Sequence, residues 1–232
     1  MIAPKKHLRS SDEELSRRGY IDHLDISEYQ DDFYSNVTLL NDKDAVNRSI
    51  AARKLSTYIN EKDTIQQLLT RLLIEKALYT KLEICNSLSK ADKDGVTQML
   101  PYLGIIPNKQ YTSLPDRGSK KKSFPLSRDI IARTIGRMDI TVLITLLNAY
   151  NDCTLIQKRE LLDAIGYLIF TNNYKTAIVF GKLKYCFEHE TDEVIRWKIV
   201  IIFKFLLPYS KAFLEQFTKE DGLLYEEAQK VL

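Results

Sequence analysis

Apolar residues recur at intervals of three and four positions along most of this chain, the spacing that places them on one face of an α-helix. The clearest stripe consists of Ile65, Leu68, Leu69, Leu72 and Leu73. Glycine and proline, which interrupt helices, number only 8 and 6 in 232 residues. The pattern therefore predicts an all-α protein.

The segment 39–55 shows how two of these helices are joined. It contains the end of one helix, a short turn with Asp42 and Asp44, and the start of a second helix at Ala45. Acidic side chains favour a helix N-terminus because they face its free N–H groups and the positive end of its dipole. Later in the second helix, Ala51 and Ala52 are small enough for a neighbouring helix to pack closely.

Further helix pairs follow along the chain. The predicted pairs cover residues 24–40 and 45–59, 63–73 and 75–88, 94–103 and 127–135, 139–148 and 154–170, 174–189 and 191–207, and a terminal pair at 210–217 and 223–232. The loop 104–125 interrupts the third pair, and structureless loops of this length are often functional. We expect 1–232 to form a single repeat domain with a frayed start at 1–9.

One basic residue takes an equivalent place in each pair when the second helices are aligned on their apolar positions. These residues are Arg48, Lys81, Arg128, Lys158 and Arg196, at intervals of 33, 47, 30 and 38 residues. Six positions before them stand Asp42, Glu75, Lys122, Asp152 and Glu190, of which four are acids. A spacing that returns at such intervals indicates a repeat protein.

In this motif the chain resembles the HEAT-repeat, or armadillo-like, family. That family has an acid in the turn between two antiparallel helices and a base six positions later, followed by small or apolar residues such as those of 50–53 and 130–133. The resemblance covers about residues 29–207. It implies a right-handed α-solenoid of about five to six helix pairs, in which the second helices line a concave face. It also implies a non-enzymatic scaffold that holds a protein or peptide partner.

The bases at the repeated position allow two interpretations. They form a line of cations along the concave face, or each one pairs with a turn acid of its own or the adjacent repeat. The acid six positions earlier favours pairing, because a paired base offers less charge to a ligand. Exposed pairs of this kind contribute only about 0–1 kcal/mol each.

Arg128 departs from this pattern because Lys122 replaces the acid six positions before it. The repeat leaves cations here without built-in partners, so we predict a site for an acidic peptide, a phosphate or a nucleic-acid backbone. Its partner-binding residues are Arg117, Lys120, Lys121, Lys122, Arg128 and Arg133. A solvated lysine-rich loop is the alternative. Tyr111 and Phe124 either contact the partner or fix the loop to the protein.

A second resemblance gives the alternative function, a nucleic-acid-binding protein. Bacterial DNA glycosylases that remove alkylated bases use a HEAT-like solenoid with a basic cleft, aromatic residues and a carboxylate that stabilises positive charge on the sugar. Asp163 stands at the register position of Arg53 and is the candidate carboxylate. Trp197 is the one tryptophan and is expected in the core, so the aromatic cradle is missing and Asp163 is interpreted as a surface acid.

The amino-acid composition and the absence of known motifs limit the classes of function that remain. The net charge of +3 permits nucleic-acid binding without requiring it. Cys85, Cys153 and Cys186 lack disulfide or metal-site spacing, which is typical of reduced thiols in the cytoplasm. No nucleotide-binding or hydrolase motif occurs in the sequence. We therefore expect no catalytic residues, no metal site, no cofactor, no membrane span and no small-molecule ligand.

Overall fold

The fold is known from a computed structural model that describes residues 11–29, 32–61, 63–118 and 123–232. All regular secondary structure in these ranges is helical, so the all-α prediction is confirmed. The chain divides into two compact units, residues 1–88 and 89–232. The prediction of a frayed start at 1–9 falls outside the described residues.

Unit 1 contains five α-helices among its described residues. They are α1 (Asp12–Arg17), α2 (Phe33–Leu39), α3 (Ala45–Leu55), α4 (Thr64–Ile74) and α5 (Leu78–Leu88), with a 3-10 turn at Ser56–Tyr58 after α3. Asp44 caps α3 as expected, and its side chain accepts a hydrogen bond from the Val46 amide at 2.8 Å. Asp63 precedes α4 but does not cap it, because its left-handed backbone leaves the side chain without a hydrogen bond to the helix.

Unit 2 contains eight α-helices among its described residues. They are α6 (Lys93–Met99), α7 (Ile130–Ile135), α8 (Leu143–Ala149), α9 (Leu155–Asn172), α10 (Ala177–His189), α11 (Glu193–Phe203), α12 (Lys211–Leu214) and α13 (Leu223–Ala228). Short 3-10 turns lie at Leu100–Tyr102, Ile140–Val142, Tyr150–Asp152 and Lys219–Asp221. The described parts of the predicted loop 104–125 are not helical. Throughout the described ranges, every helix is too short or too polar to cross a bilayer.

Small residues let α3 and α5 pack closely in unit 1. Ala51 and Ala52 are fully buried, and the Ser87 hydroxyl donates to the Ala52 carbonyl at 2.6 Å.

The segment after α1 also packs against α5. Gly19 has a φ of +79°, and a Cβ atom there would lie 2.4 Å from the Thr80 hydroxyl oxygen. Glycine is needed at this position because the backbone is left-handed and the space is already filled.

A buried ion pair joins α3 to the turn between α4 and α5. The Arg48 Nε and Nη2 atoms donate to the two carboxylate oxygens of Glu75 at 2.7 and 2.9 Å, and Arg71 donates to the same carboxylate at 2.9 Å. Burial raises the pKa of Glu75, but hydrogen bonds from Arg48, the Ala77 amide and Arg71 outweigh it and leave the pKa at about 2. Glu75 is therefore a carboxylate in the folded protein at neutral pH.

Unit 2 contains a less buried ion pair on helix α9. Helix α9 packs against α7 and α11. The Lys158 ammonium of α9 lies 2.7 Å from the carboxylate of Glu190, which stands between α10 and α11. Arg48 and Lys158 thus each pair with an acid in a turn that comes later in the chain, so pairing of the repeated base with an acid is confirmed at these two positions. Arg196 instead lies over the Phe187 ring at 4.4 Å.

We expect Glu75→Gln to lower the free energy of unfolding by about 3–5 kcal/mol at pH 7, because it leaves the Arg48 guanidinium buried without a counter-charge. Urea unfolding followed by circular dichroism measures the loss. The pKa of Glu75 is lowered on folding, from its ordinary value of 4.5 to about 2. Its contribution is complete above the ordinary pKa and declines as the pH falls through that interval, so the two proteins should converge in acid.

The matched control is Glu215→Gln, which breaks an ion pair with Lys211 whose side chains are 53% and 62% exposed. This variant should change the unfolding free energy by less than about 1 kcal/mol. Equal losses in the two variants would contradict a special role for the buried pair.

Candidate functional site

Unit 2 contains a cavity of about 310 Å³ between the loop 104–125 and the helices α9 and α11. Its lining combines aromatic rings with charged groups. The lining residues are Tyr111, Pro115, Arg117, Phe124, Pro125, Leu126, Arg128, Asp163, Trp197, Lys198 and Ile201. The volume is at the lower end of the range found for ligand sites.

Asp129 fixes the loop beside this cavity. One carboxylate oxygen caps α7 by accepting from the Ala132 amide at 2.7 Å, and the other accepts from the Gly104 amide at 3.1 Å and from Gln110 Nε2 at 3.3 Å. Asp129 is fully buried, and burial raises its pKa against the opposing effect of these hydrogen bonds. The start of the loop is thus tied to the start of α7 by one side chain.

Tyr111 and Trp197 form an aromatic wall. The Arg128 guanidinium lies over the Tyr111 ring, 3.8 Å from its centroid, and donates to the Lys109 carbonyl at 3.2 Å. Tyr111 in turn meets the Trp197 ring edge-on, with 5.2 Å between the ring centroids. Trp197 is only 4% exposed, which confirms its expected burial, and its indole Nε1 has no hydrogen-bond partner in the described part of the chain.

Phe124 fixes the far end of the loop to the helices. It is buried and meets Phe205 edge-on, with ring centroids 5.7 Å apart. A Cβ atom on Gly166 of α9 would lie 2.2 Å from the Phe124 Cζ atom, so the ring occupies the space that a larger side chain would need. Of the two interpretations of Phe124, the structure supports attachment of the loop.

A buried charge cluster borders the cavity. The Lys198 ammonium donates to the Arg159 carbonyl at 2.8 Å and to Glu160 at 3.1 Å, and it lies 3.1 Å from an oxygen of Asp163. Burial raises the pKa of both carboxyl groups, with Lys198 opposing it, and the pKa of Glu160 reaches about 7. A single ammonium thus serves two carboxyl groups on one face of α9.

Only some of the residues predicted to bind a partner lie at this cavity. Arg117 and Arg128 line the cavity and are exposed. Arg133 does not line it, because its guanidinium donates to the Ser127 carbonyl at 2.6 and 3.2 Å. The three lysines of the predicted site, Lys120, Lys121 and Lys122, lie outside the described residues.

Sequence reasoning missed the part that Asp163 and Lys198 take in the cavity. The interpretation of Asp163 as a surface acid is wrong, since its side chain is only 16% exposed and pairs with Lys198. A signal for this pairing exists in the sequence. Lys198 interrupts the apolar helix α11, and a lysine in such a helix needs a buried acid, which the two acids three positions apart on α9 supply.

Comparison with family models, with curated proteins and with solved structures found no match for this chain. The likeness to HEAT repeats therefore rests on the sequence motif alone. Function has to be argued from the geometry of the cavity.

We expect Gly166→Ala to destabilise unit 2 by about 1–3 kcal/mol, because the added methyl group displaces the Phe124 ring. Urea unfolding followed by the fluorescence of Trp197, which lies in this unit, measures the effect. Gly181→Ala is the control, since no atom lies within 4 Å of a Cβ at that exposed position of α10. It should stabilise the protein by up to about 1 kcal/mol through helix propensity, and the same gain in Gly166→Ala would refute the packing argument.

We expect Glu160→Gln to change how stability depends on pH. The pKa of Glu160 rises on folding from its ordinary 4.5 to about 7, so its stabilisation is complete below the ordinary value and is lost as the pH rises through about 7. Glutamine resembles the protonated form, and the variant should gain stability relative to the natural chain between about pH 5 and 8. Urea midpoints measured across this range test it, with the exposed Glu220→Gln as control. A stability difference between Glu160→Gln and the natural chain that does not vary with pH would contradict this prediction.

Proposed function

We propose that this chain is a non-enzymatic binding scaffold, and that the cavity of unit 2 with its basic loop engages a protein or peptide carrying acidic side chains. The proposal rests on the exposure and the ion pairing of Arg117 and Arg128. Both are exposed at the cavity, and neither forms an ion pair with a carboxylate among the described residues. Arginine in this state is suited to bidentate binding of an incoming carboxylate.

Other arginines of the chain provide the contrast. Arg53 pairs with Glu83 at 2.7 Å and with Asp22 at 2.6 Å, and Arg159 pairs with Asp192 at 2.5 Å. Their charges are already compensated within their own units. Arg117 and Arg128 are therefore better placed to pair with a partner.

The scaffold part of the proposal is that each unit is built from HEAT-like antiparallel helix pairs stacked as in a right-handed α-solenoid. It is supported by the pairing of Arg48 with Glu75 and of Lys158 with Glu190, where a base of one pair meets the turn acid of the next. Cys153 and Cys186 are not in a disulfide among the described residues, and we propose a cytoplasmic location because thiols persist in reducing compartments.

A second candidate is a nucleic-acid-binding protein, including the glycosylase alternative. The specific observation in its favour is that Asp163, Tyr111 and Trp197 line the same cavity as Arg128. A carboxylate beside aromatic rings and a cation suits an unstacked base with its phosphate. Base release from alkylated DNA, lost on Asp163→Asn, would establish this candidate in place of the scaffold.

Fluorescence anisotropy distinguishes the two candidates. We expect a labelled decaglutamate peptide to bind the full chain, and labelled single-stranded and duplex DNA to bind at least about tenfold more weakly. Arg117→Ser combined with Arg128→Ser should weaken peptide binding by at least about tenfold, because each lost guanidinium removes a charge-assisted contact.

The control combines Arg137→Ser with Lys175→Ser, which removes the same charge from exposed positions away from the cavity. It should change peptide affinity by less than about twofold, since screened charges at a distance contribute little. Equal weakening by the two double variants would show that only net charge matters. DNA binding at micromolar concentration with a steep salt dependence would reverse the preference for a peptide.

A further inference from the structure

The charged side chains on the lining of the cavity are mostly positive. Among the described lining residues they are Arg117, Arg128 and Lys198, with the carboxylate of Asp163 against them. Lys198 lies 3.1 Å from that carboxylate, so this cation and this anion compensate each other. The charge of Arg128 lowers the pKa of Asp163, as expected of two side chains that face the same space. Arg117 and Arg128 are thus left, within the described chain, as two positive charges that no carboxylate pairs with.

Three further carboxyl groups lie near the cavity without lining it. Glu160 also accepts a hydrogen bond from Lys198, but Glu160 is only 1% exposed, and burial raises its pKa to about 7. It therefore carries only part of a negative charge at neutral pH. Asp129 is fully buried, and its oxygens accept from two backbone amides. Asp116 is exposed to solvent in the loop, beside Arg117. Counted together, these groups leave the cavity itself with an excess of positive charge.

Arg128 is held in an orientation that suits an anion with several oxygens. Its guanidinium lies 3.8 Å from the centroid of the Tyr111 ring and donates to the Lys109 carbonyl at 3.2 Å. A guanidinium has five N–H groups, and the described residues provide an acceptor for one of them. The planar arrangement of these groups matches the oxygens of a phosphate or a carboxylate in pairs.

The rest of the described lining is aromatic or apolar. Tyr111 and Trp197 meet edge-on with their ring centroids 5.2 Å apart, and Phe124 adds a third ring. Such walls suit a further aromatic ring, which packs edge-on or offset against them. The volume of about 310 Å³ is at the lower end of the range for ligand sites, so we expect the cavity to admit one side chain.

Phosphotyrosine combines an aromatic ring and a double negative charge in one side chain. Its phosphate carries a charge of about −1.5 to −2 at pH 7 and has three strong acceptor oxygens. Glutamate and aspartate carry a single charge and no ring. Phosphoserine carries the double charge without the ring. Of these acidic side chains, phosphotyrosine alone matches both the two arginines and the aromatic walls.

We propose that the cavity binds a phosphorylated tyrosine of the partner, with its phosphate on Arg117 and Arg128 and its ring against Tyr111, Phe124 and Trp197. The inference rests on the proposed function, since it names the acidic side chain that the cavity selects. A mononucleotide offers related chemistry, an aromatic base with a phosphate, and the experiment separates the two sources.

The test titrates the full chain with capped pentapeptides of sequence alanine-glutamate-X-glutamate-alanine, in which X is phosphotyrosine, sulfotyrosine, phosphoserine or tyrosine. Sulfotyrosine keeps the ring with a single negative charge, and phosphoserine keeps the phosphate without the ring. We expect the phosphotyrosine peptide to change the emission of Trp197 and to bind at least about tenfold more tightly than each of the others. Calorimetry supplies the dissociation constants.

Arg128→Lys separates contact with a phosphate from net charge. Lysine keeps the charge but loses the planar set of N–H groups, so the affinity for the phosphotyrosine peptide should fall by at least about tenfold. Arg137→Lys is the control at an exposed position that is not part of the cavity, and it should change this affinity by less than about twofold. Equal affinities in these two variants would overturn the placement of the phosphate on Arg128.

The comparison of peptides is made in the natural chain and does not depend on the folding of a variant. Equal affinity for the phosphotyrosine peptide and any of the other three would overturn this inference. If no pentapeptide binds, the inference also fails, and in either case the decaglutamate result decides separately whether the proposed function stands. Thymidine 5′-monophosphate binding as tightly as the phosphotyrosine peptide would assign the cavity to a nucleotide and overturn recognition of a partner chain.

Discussion

Compensation of buried charge is the constraint on which the described helices depend. An ionised side chain can be buried in a folded protein only where an opposite charge or several dipoles replace its lost hydration. Arg48 on α3 meets this condition through Glu75 in the turn before α5, and Lys158 on α9 meets it through Glu190 in the turn before α11. In both units the compensating acid lies in a turn later in the chain. The contact that neutralises the base therefore also ties its helix to that turn.

Much of this arrangement could be predicted from the sequence because it depends on local periodicity. Apolar spacing indicates the helices, and the acid six positions before four of the five repeated bases indicates a turn. The spacing could not show that Arg48 pairs with the carboxylate of the next turn and donates only to the carbonyls of Asp42 and Lys43 in its own. Which acid a base reaches depends on how helices distant in the sequence pack, and that is not encoded at short range.

The cavity was harder to predict because its parts are distant in the sequence. The repeat pattern indicates Arg128 as a cation without an acid six positions earlier, and Arg117 lies in the loop before it. The contact between Tyr111 and Trp197 joins a loop to a helix many residues later, and no periodicity reports it. The interpretation of Asp163 as a surface acid is wrong because the position of that loop determines whether a polar side chain on α9 is exposed or covered. The features that the sequence did not predict are thus contacts of an irregular segment with residues distant in the chain.

Buried carboxyl groups have pKa shifts of opposite direction in the two units. In unit 1 the carboxylate of Glu75 receives two arginines and the Ala77 amide, and its pKa falls to about 2, as expected of an acid with surplus compensation. In unit 2 Glu160 and Asp163 share one ammonium and their pKa values rise. Compensation by two arginines keeps Glu75 ionised at neutral pH, whereas one shared ammonium leaves the pKa of Glu160 at about 7. The same kind of side chain therefore stabilises unit 1 at neutral pH and makes the stability of unit 2 depend on pH near neutrality.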